Sequence, residues 1–242
     1  MNRAYHTWWS PRLQRTMELL VFGHSGARVL VFPTRAGRFF DYENFGMVGA
    51  LYDLLDYGAL QLYCVDSIDA ESLYGFWRPP HERIARHVAY EGYILEEVLP
   101  LSCHLNRYSP LIAHGCSLGA YHAVNLAFRH PHLFQKVVAL SGRYDLTVPV
   151  GSYRGLFDDY YDQTIYFQTP SHFIPYLSDP CILDSLRRME IILAIGEQDV
   201  FRDNNYQLST ALWEKGIWNS LQFWPGEAHR PSYWRRMIRQ YL

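Results

Sequence analysis

The sequence predicts an α/β protein built on a mostly parallel, twisted sheet with helices on both faces. Three observations carry this. Short, largely apolar runs recur at 28–32, 60–65, 109–114, 136–140 and 190–195, with a last strand at 219–224, as expected of a sheet whose central strands are buried on both faces. Helical periods fill most of the gaps between them, and strand–helix–strand repetition is the pattern of parallel sheets. At one strand-to-helix junction stands Gly115-Cys116-Ser117-Leu118-Gly119, a G-x-S-x-G. That spacing suits a serine on a turn so tight that its neighbours two residues away cannot carry side chains.

The 242 residues read as one domain over 1–242, without internal repeat or linker. Apolar residues make up 49% and charged residues 19%, with a formal net charge of −2. This balance favours neither nucleic acid nor an anionic membrane as partner. No apolar run reaches membrane-spanning length, and residues 1–6 hold no signal-like apolar core, so the expected location is cytoplasmic. The cysteines at 64, 103, 116 and 181 form no C-x-x-C pair; buried free thiols are expected, with no metal and no cofactor.

Taken in order, 4–9 and 16–22 read as an antiparallel pair at a sheet edge, joined to the strand at 28–32 by the turn cluster Gly23-His24-Ser25-Gly26. After that strand comes Pro33-Thr34-Arg35-Ala36-Gly37, a place from which a backbone N–H can complete an oxyanion hole. Thr34, Arg35 and Ala36 are the candidates, and Arg35 is chosen. Residues 44–57 carry a helical period, closed at Gly58. After the strand at 60–65, Asp66, Asp69 and Glu71 lack the spacing of a calcium loop and read as a solvated loop. Pro79 and Pro80 introduce a helix expected over 81–99.

The serine strand leads through the turn into a helix over 117–129. Residues 143–189 break the rhythm with dispersed aromatics and prolines, and read as a cap-like excursion over the active-site edge with short helices near Ser171 and Leu183. Tyr153, Phe157, Tyr160 and Tyr161 are its expected substrate-binding residues. The strand at 190–195 ends in Gly196-Glu197-Gln198-Asp199. A helix starting at Asp203 or Asn204 stops at Gly216, and the last strand runs into Pro225-Gly226-Glu227-Ala228-His229 before a final helix.

Ser117, Asp199 and His229 thus each follow the carboxyl end of a different strand, where open parallel sheets meet their ligands. Ser117 would attack a carbonyl, His229 would take and return its proton, and Asp199 would orient the imidazole, with the Leu118 N–H in the oxyanion hole. Asp203 reads as a helix start, and His114 as a packed, hydrogen-bonded core residue. His122, His130 and His132 go with the elbow helix and its exit. Cys116 leaves the turn in another direction from Ser117. The G-x-S-x-G alone recurs by chance in roughly one chain in ten of this length, so the reading rests on strand, turn, helix, acid and histidine arriving in this order.

The chain also resembles a known family, the putative-esterase group of the α/β-hydrolase superfamily, related to esterase D and S-formylglutathione hydrolase. The resemblance covers nearly the whole chain. It is carried by Val31-Phe32-Pro33-Thr34, Tyr63-Cys64-Val65-Asp66-Ser67, Gly115-Cys116-Ser117-Leu118-Gly119-Ala120-Tyr121-His122-Ala123, Phe128-Arg129-His130-Pro131, Ala139-Leu140-Ser141-Gly142, Ile195-Gly196-Glu197-Gln198-Asp199 and Ala228-His229. It implies an α/β-hydrolase fold with Ser117, Asp199 and His229 as the triad. Family members often have an acid soon after the histidine; here Arg230 and Pro231 follow. The expected activity is a serine carboxylesterase acting on a small-molecule ester through an acyl-enzyme. An acyltransferase of the same fold and a catalytically silent binding or scaffold protein are the competing functions.

Overall fold

The structure, a computed structural model, describes residues 1–107 and 110–242. Ser109, the first residue of the expected serine strand, lies outside the described residues. Eight strands form one sheet: β1 (Arg3–Ser10), β2 (Arg15–Phe22), β3 (Ala27–Phe32), β4 (Leu60–Val65), β5 (Leu111–Cys116), β6 (Lys136–Leu140), β7 (Glu190–Gly196) and β8 (Ser220–Trp224). Their spatial order is β1-β2-β4-β3-β5-β6-β7-β8. The β1–β2 and β2–β4 pairs are antiparallel and the other pairs parallel. The edge hairpin and the parallel remainder are as the sequence predicts.

Each central strand feeds two cores, because successive side chains leave opposite faces. Leu30 of β3, Ala113 of β5, Val137 of β6 and Leu193 of β7 point to one core. Val31, Ile112, Val138 and Ile192 point to the other. The second core is covered by α1 (Asp41–Asn44), α2 (Met47–Ala50), α3 (Tyr52–Tyr57) and the C-terminal helix. The single helix expected over 44–57 is therefore three short ones. Gly46 takes a left-handed φ of 71° between the first two, and the Arg235 side chain lies close against it and donates to Phe45 O.

The first core is covered by α4 (Pro80–Tyr93) and α6 (Leu118–Arg129), by the helices Pro170–Tyr176 and Arg202–Glu214, and at its margin by α5 (Leu99–Leu105). The helix expected over 81–99 instead continues to Leu105 through a π turn, Ile94–Val98. Pro100 sits just beyond that turn. It offers no N–H and crowds the carbonyl one turn back, which a locally widened helix relieves. Within 143–189 three helices form, α7 (Gln163–Phe167), α8 (Pro170–Tyr176) and α9 (Pro180–Arg188); the first carries no periodicity in the sequence. The chain closes with α10 (Arg202–Glu214) and α11 (Pro231–Tyr241).

The loop 66–71 is not the solvated loop expected. Asp66 and Asp69 are buried, and Glu71 bridges Arg15 and Arg86. Arg38 Nε donates to Asp66 Oδ1 at 2.7 Å, while burial raises the Asp66 carboxyl against that arginine's pull. Of the cysteines, Cys64 and Cys116 are buried thiols as expected, whereas Cys103 and Cys181 are exposed.

Two buried histidines are expected to make the fold acid-sensitive. Burial pulls His87 down to about 3, with the neighbouring His122 adding to the shift. Burial pulls His114 down to about 4, against its 2.7 Å hydrogen bond with Val138 O. Unfolding releases both to the ordinary value near 6.5. The unfolded chain therefore binds more protons below that pH, and stability falls as pH drops from about 6.5 toward these depressed values. At pH 5 each histidine is expected to cost about 2 kcal/mol relative to pH 7. Urea midpoints measured at both pH values check this: the midpoint should drop on acidification, and drop less in His87→Leu. A midpoint independent of pH over that range would contradict it.

Candidate active site

Ser117 sits between β5 and α6 at φ 57° and ψ −121°, a conformation L-residues avoid. Two glycines make the turn possible. A Cβ on Gly115 would stand 2.2 Å from the Gly119 carbonyl carbon, and one on Gly119 would stand 2.3 Å from Phe32 O at the end of β3. The turn is also tied to the sheet, since Ser117 N–H donates to Leu140 O at 2.8 Å. The serine is thereby lifted above the carboxyl ends of the central strands.

Asp199 follows β7 and His229 follows β8. Backbone hydrogen bonds stitch the two loops together: Glu197 N–H to Trp224 O at 2.8 Å and Gln198 N–H to Gly226 O at 3.0 Å. The Asp199 side chain is 1% exposed. Its Oδ1 accepts the Phe201 N–H at 3.0 Å and its Oδ2 lies 2.8 Å from His229 Nδ1. A carboxylate only accepts, so this contact keeps a proton on Nδ1 and leaves the Nε2 lone pair free. That Nε2 lies 3.0 Å from Ser117 Oγ. The structure thus brings the three predicted side chains into one hydrogen-bonded chain. The rings of Phe201 and Trp234 flank the imidazole at 5.8 and 5.6 Å. Glu197, from the same loop as Asp199, is exposed and outside this chain.

Opposite the serine lies the 33–37 turn, closed by Gly37 N–H to Thr34 O at 2.8 Å. Ala36 N–H is already donated to Asp69 Oδ2 at 3.0 Å. Of the three backbone candidates Ala36 is therefore engaged elsewhere, while Thr34 and Arg35 line the cavity above Ser117. Asp69 Oδ1 lies 3.4 Å from His122 Nε2 on the elbow helix, so one buried carboxylate links this turn to the helix behind the serine.

The cavity measures about 300 Å³, and Arg35, Tyr74, Arg143, Tyr153, Phe201 and Trp234 are among its walls together with Ser117, Leu118 and His229. Cys116 points away into the core, and burial pushes its thiol far up, leaving it protonated.

A model of the family described as "Putative esterase" matches residues 43–235. The chain belongs to this esterase family. It is accordingly a carboxylic ester hydrolase. No curated protein sequence matches it. Among solved structures, a ferulic acid esterase aligns at 18% identity over 99% of this chain and 95% of its own, with a TM-score of 0.78. The S-formylglutathione hydrolase of Staphylococcus aureus aligns at 16% identity, over 99% of this chain and 94% of its own, with a TM-score of 0.71. That of Agrobacterium tumefaciens aligns at 15% identity, over 98% and 92%, with a TM-score of 0.73. The fold of this esterase is the α/β-hydrolase fold.

Three of the four expected pocket residues of the esterase lie elsewhere. Tyr153 is in the cavity wall, its ring 4.8 Å from that of Phe201. Phe157 is buried beneath it, packed with Leu118, Tyr121 and Leu146. Tyr160 and Tyr161 are exposed and hydrogen-bonded to Asp162 and His172. The reason is that only the first part of 143–189 crosses the serine edge. The later part turns away so that α8 packs on α10 and α6. Sequence reasoning missed Tyr74, Arg143, Phe201 and Trp234. Arg143 had a signal, since it stands just past the carboxyl end of β6, where ligands of such sheets bind; Trp234 sits one turn into a helix whose face no motif marks.

Proposed function

We propose that this esterase is a serine carboxylesterase for small or soluble esters, with Ser117 as nucleophile, His229 as general base and acid, and Asp199 as the orienting carboxylate. The observation that carries the reading is the unbroken 2.8 and 3.0 Å hydrogen-bond chain from Asp199 through His229 to Ser117. Ser117 Oγ attacks the ester carbonyl as its proton passes to His229 Nε2. The imidazolium, held by Asp199, returns that proton to the departing alcohol. Water then repeats the sequence on the acyl-enzyme.

The oxyanion is met by the Leu118 N–H, in the first turn of α6 where no helical carbonyl precedes it, and by the Arg35 N–H from the 33–37 turn. One such donor contributes roughly 3 kcal/mol to the barrier reduction. The helix N-terminus adds positive potential at the same point. The cavity size of about 300 Å³ supports an ester of modest bulk.

A fluorophosphonate tests the reading. It should label Ser117 and stop hydrolysis of p-nitrophenyl acetate, while a thiol reagent leaves the activity in place. Cys116→Ala should keep most of the activity, apart from the packing lost by trimming a buried side chain. Labelling at any other residue, or activity lost in Cys116→Ala with its fold intact, would overturn the assignment.

A further inference from the structure

We propose that the Ser117 cavity selects esters that carry a carboxylate, recognised by the side chains of Arg35 and Arg143. The proposal rests on the esterase reading of Ser117 and names the substrate class of that site.

The cavity continues into an adjoining chamber of about 390 Å³ that shares the walls Arg35, Tyr74, Arg143 and Tyr153. Among the described residues, no Asp or Glu lines either chamber, whereas three arginines do: Arg35, Arg143 and Arg154. The charge of Arg154 is met by Asp158, and its guanidinium lies over the Phe76 ring. The other two are not met in this way. Elsewhere in the fold arginines are clamped by acids, as Arg38 is by Asp66 and Glu18 and Arg129 by Glu91.

The Arg35 guanidinium lies 5.6 Å over the Tyr74 ring, and among the described residues no carboxylate is within ion-pair distance of it. Arg143 is only 5% exposed. Its Nε donates to Asp145 O at 3.0 Å, and its Nη2 donates to Val148 O at 2.6 Å and Arg154 O at 3.1 Å. These bonds fix the guanidinium in the wall. Its Nη1 donates to no protein atom among the described residues. The nearest acid in the chain, Asp145, acts on Arg143 only through space, its carboxylate oxygens being bound by Thr147 and His172. Both guanidiniums also act on the Tyr74 phenol, opposing the rise that burial imposes there, so the two positive charges flank one space.

A guanidinium stays charged when buried, and a buried cation without a counter-charge is costly unless a ligand supplies one. A carboxylate accepts in-plane from guanidinium N–H pairs, with the short, charge-assisted bonds that such pairs form. The wall that would repel a cationic ester thus attracts an anionic one before chemistry begins.

Two matched ester pairs test this. Charge on the acyl side is probed with p-nitrophenyl hemiglutarate against its neutral methyl ester, and charge on the alcohol side with p-acetoxybenzoate against p-acetoxybenzamide. In at least one pair the anion should be turned over with kcat/KM on the order of ten-fold higher than its neutral twin, and the ratio should shrink with added salt. Arg35→Gln should bring that ratio toward one, Arg35→Lys should restore most of it, and Arg35→Glu should reverse it. Arg35 is exposed, so these variants should fold; Arg143→Lys, which keeps the charge but not the fixed fork, should reduce the ratio part-way. Ratios at or below one in both pairs, or a ratio untouched by Arg35→Gln, would overturn the proposal while leaving the esterase reading intact. If no ester is hydrolysed at all, calorimetry on Ser117→Ala with the same compounds decides. Tighter binding of the anions then keeps the carboxylate site and sinks the esterase reading. Equal or absent binding sinks both.

Discussion

Ser117→Ala is expected to lower kcat on a p-nitrophenyl ester by on the order of 10⁶ without lowering thermal stability. His229→Ala should cost about as much. Asp199→Asn should cost on the order of 10⁴, because an amide at 2.8 Å from Nδ1 favours the wrong tautomer and leaves the proton on Nε2, where Ser117 needs an acceptor. The effects should not add. A group that works as a relay is already broken by losing one member, so the Ser117→Ala/His229→Ala double variant should be no slower than either single one. Stability should hold because Ser117 and His229 sit at the cavity surface and leave little void when trimmed. Removing the strained φ of 57° is not part of the change, since alanine keeps the same backbone demand. Steady-state kinetics with a melting curve for each variant check this. Residual activity above a tenth of the parent in His229→Ala would move the base to another residue.

Gly119→Ala is the second large effect, and it acts on the fold rather than on the proton. Its new methyl would have to occupy space 2.3 Å from Phe32 O and 2.6 Å from Pro33 O. Both obstacles are backbone, at the end of a buried central strand, and cannot swing aside as a side chain could. Either α6 backs away from β3 or the 33–37 turn is displaced. The expected cost is about 4 kcal/mol or more, in the range reserved for backbone strain and core overpacking. For a chain of this size that is a fall in Tm of about 10 °C. Whatever folds should also hydrolyse poorly, because the same displacement separates Leu118 from the turn bearing Arg35. Gly115→Ala should behave alike, its Cβ meeting Gly119 backbone at 2.2 Å. Circular-dichroism melts and activity on the soluble fraction check both, and a parental Tm with parental kcat in either variant would refute this account of the turn.

The central strands were legible because each is a short, largely apolar run that needs no partner to be recognised, and burial on both faces removes the alternation that would blur it. The three side chains of the proposed triad were legible for a related reason. Ser117, Asp199 and His229 each lie shortly past the carboxyl end of a strand, so reading the strand ends also finds the side chains. What misled was the reach of a segment without period. Tyr153, Phe157, Tyr160 and Tyr161 look equivalent in the chain. Their fates separate only once α8 packs between α6 and α10, drawing Tyr160 and Tyr161 out to solvent and leaving Phe157 as the floor under Leu118. The loop 66–71 misled in the opposite sense. Three acids in six residues read as hydrated, yet Asp66 and Asp69 are buried against Arg38 and the Ala36 N–H.

By itself, then, the order of residues determined the sheet, the serine turn and the three side chains at the strand ends, since local rules of burial, glycine sterics and strand-end position act within a few residues of each. Only the tertiary structure decided what surrounds them. Arg35, Tyr74, Arg143, Phe201 and Trp234 come from five separate segments, and their meeting above Ser117 depends on how the loops close over the sheet. The charge of that cavity is likewise a property of no segment: Arg35 and Arg143 line it from separate loops, and no Asp or Glu among the described residues lines it with them.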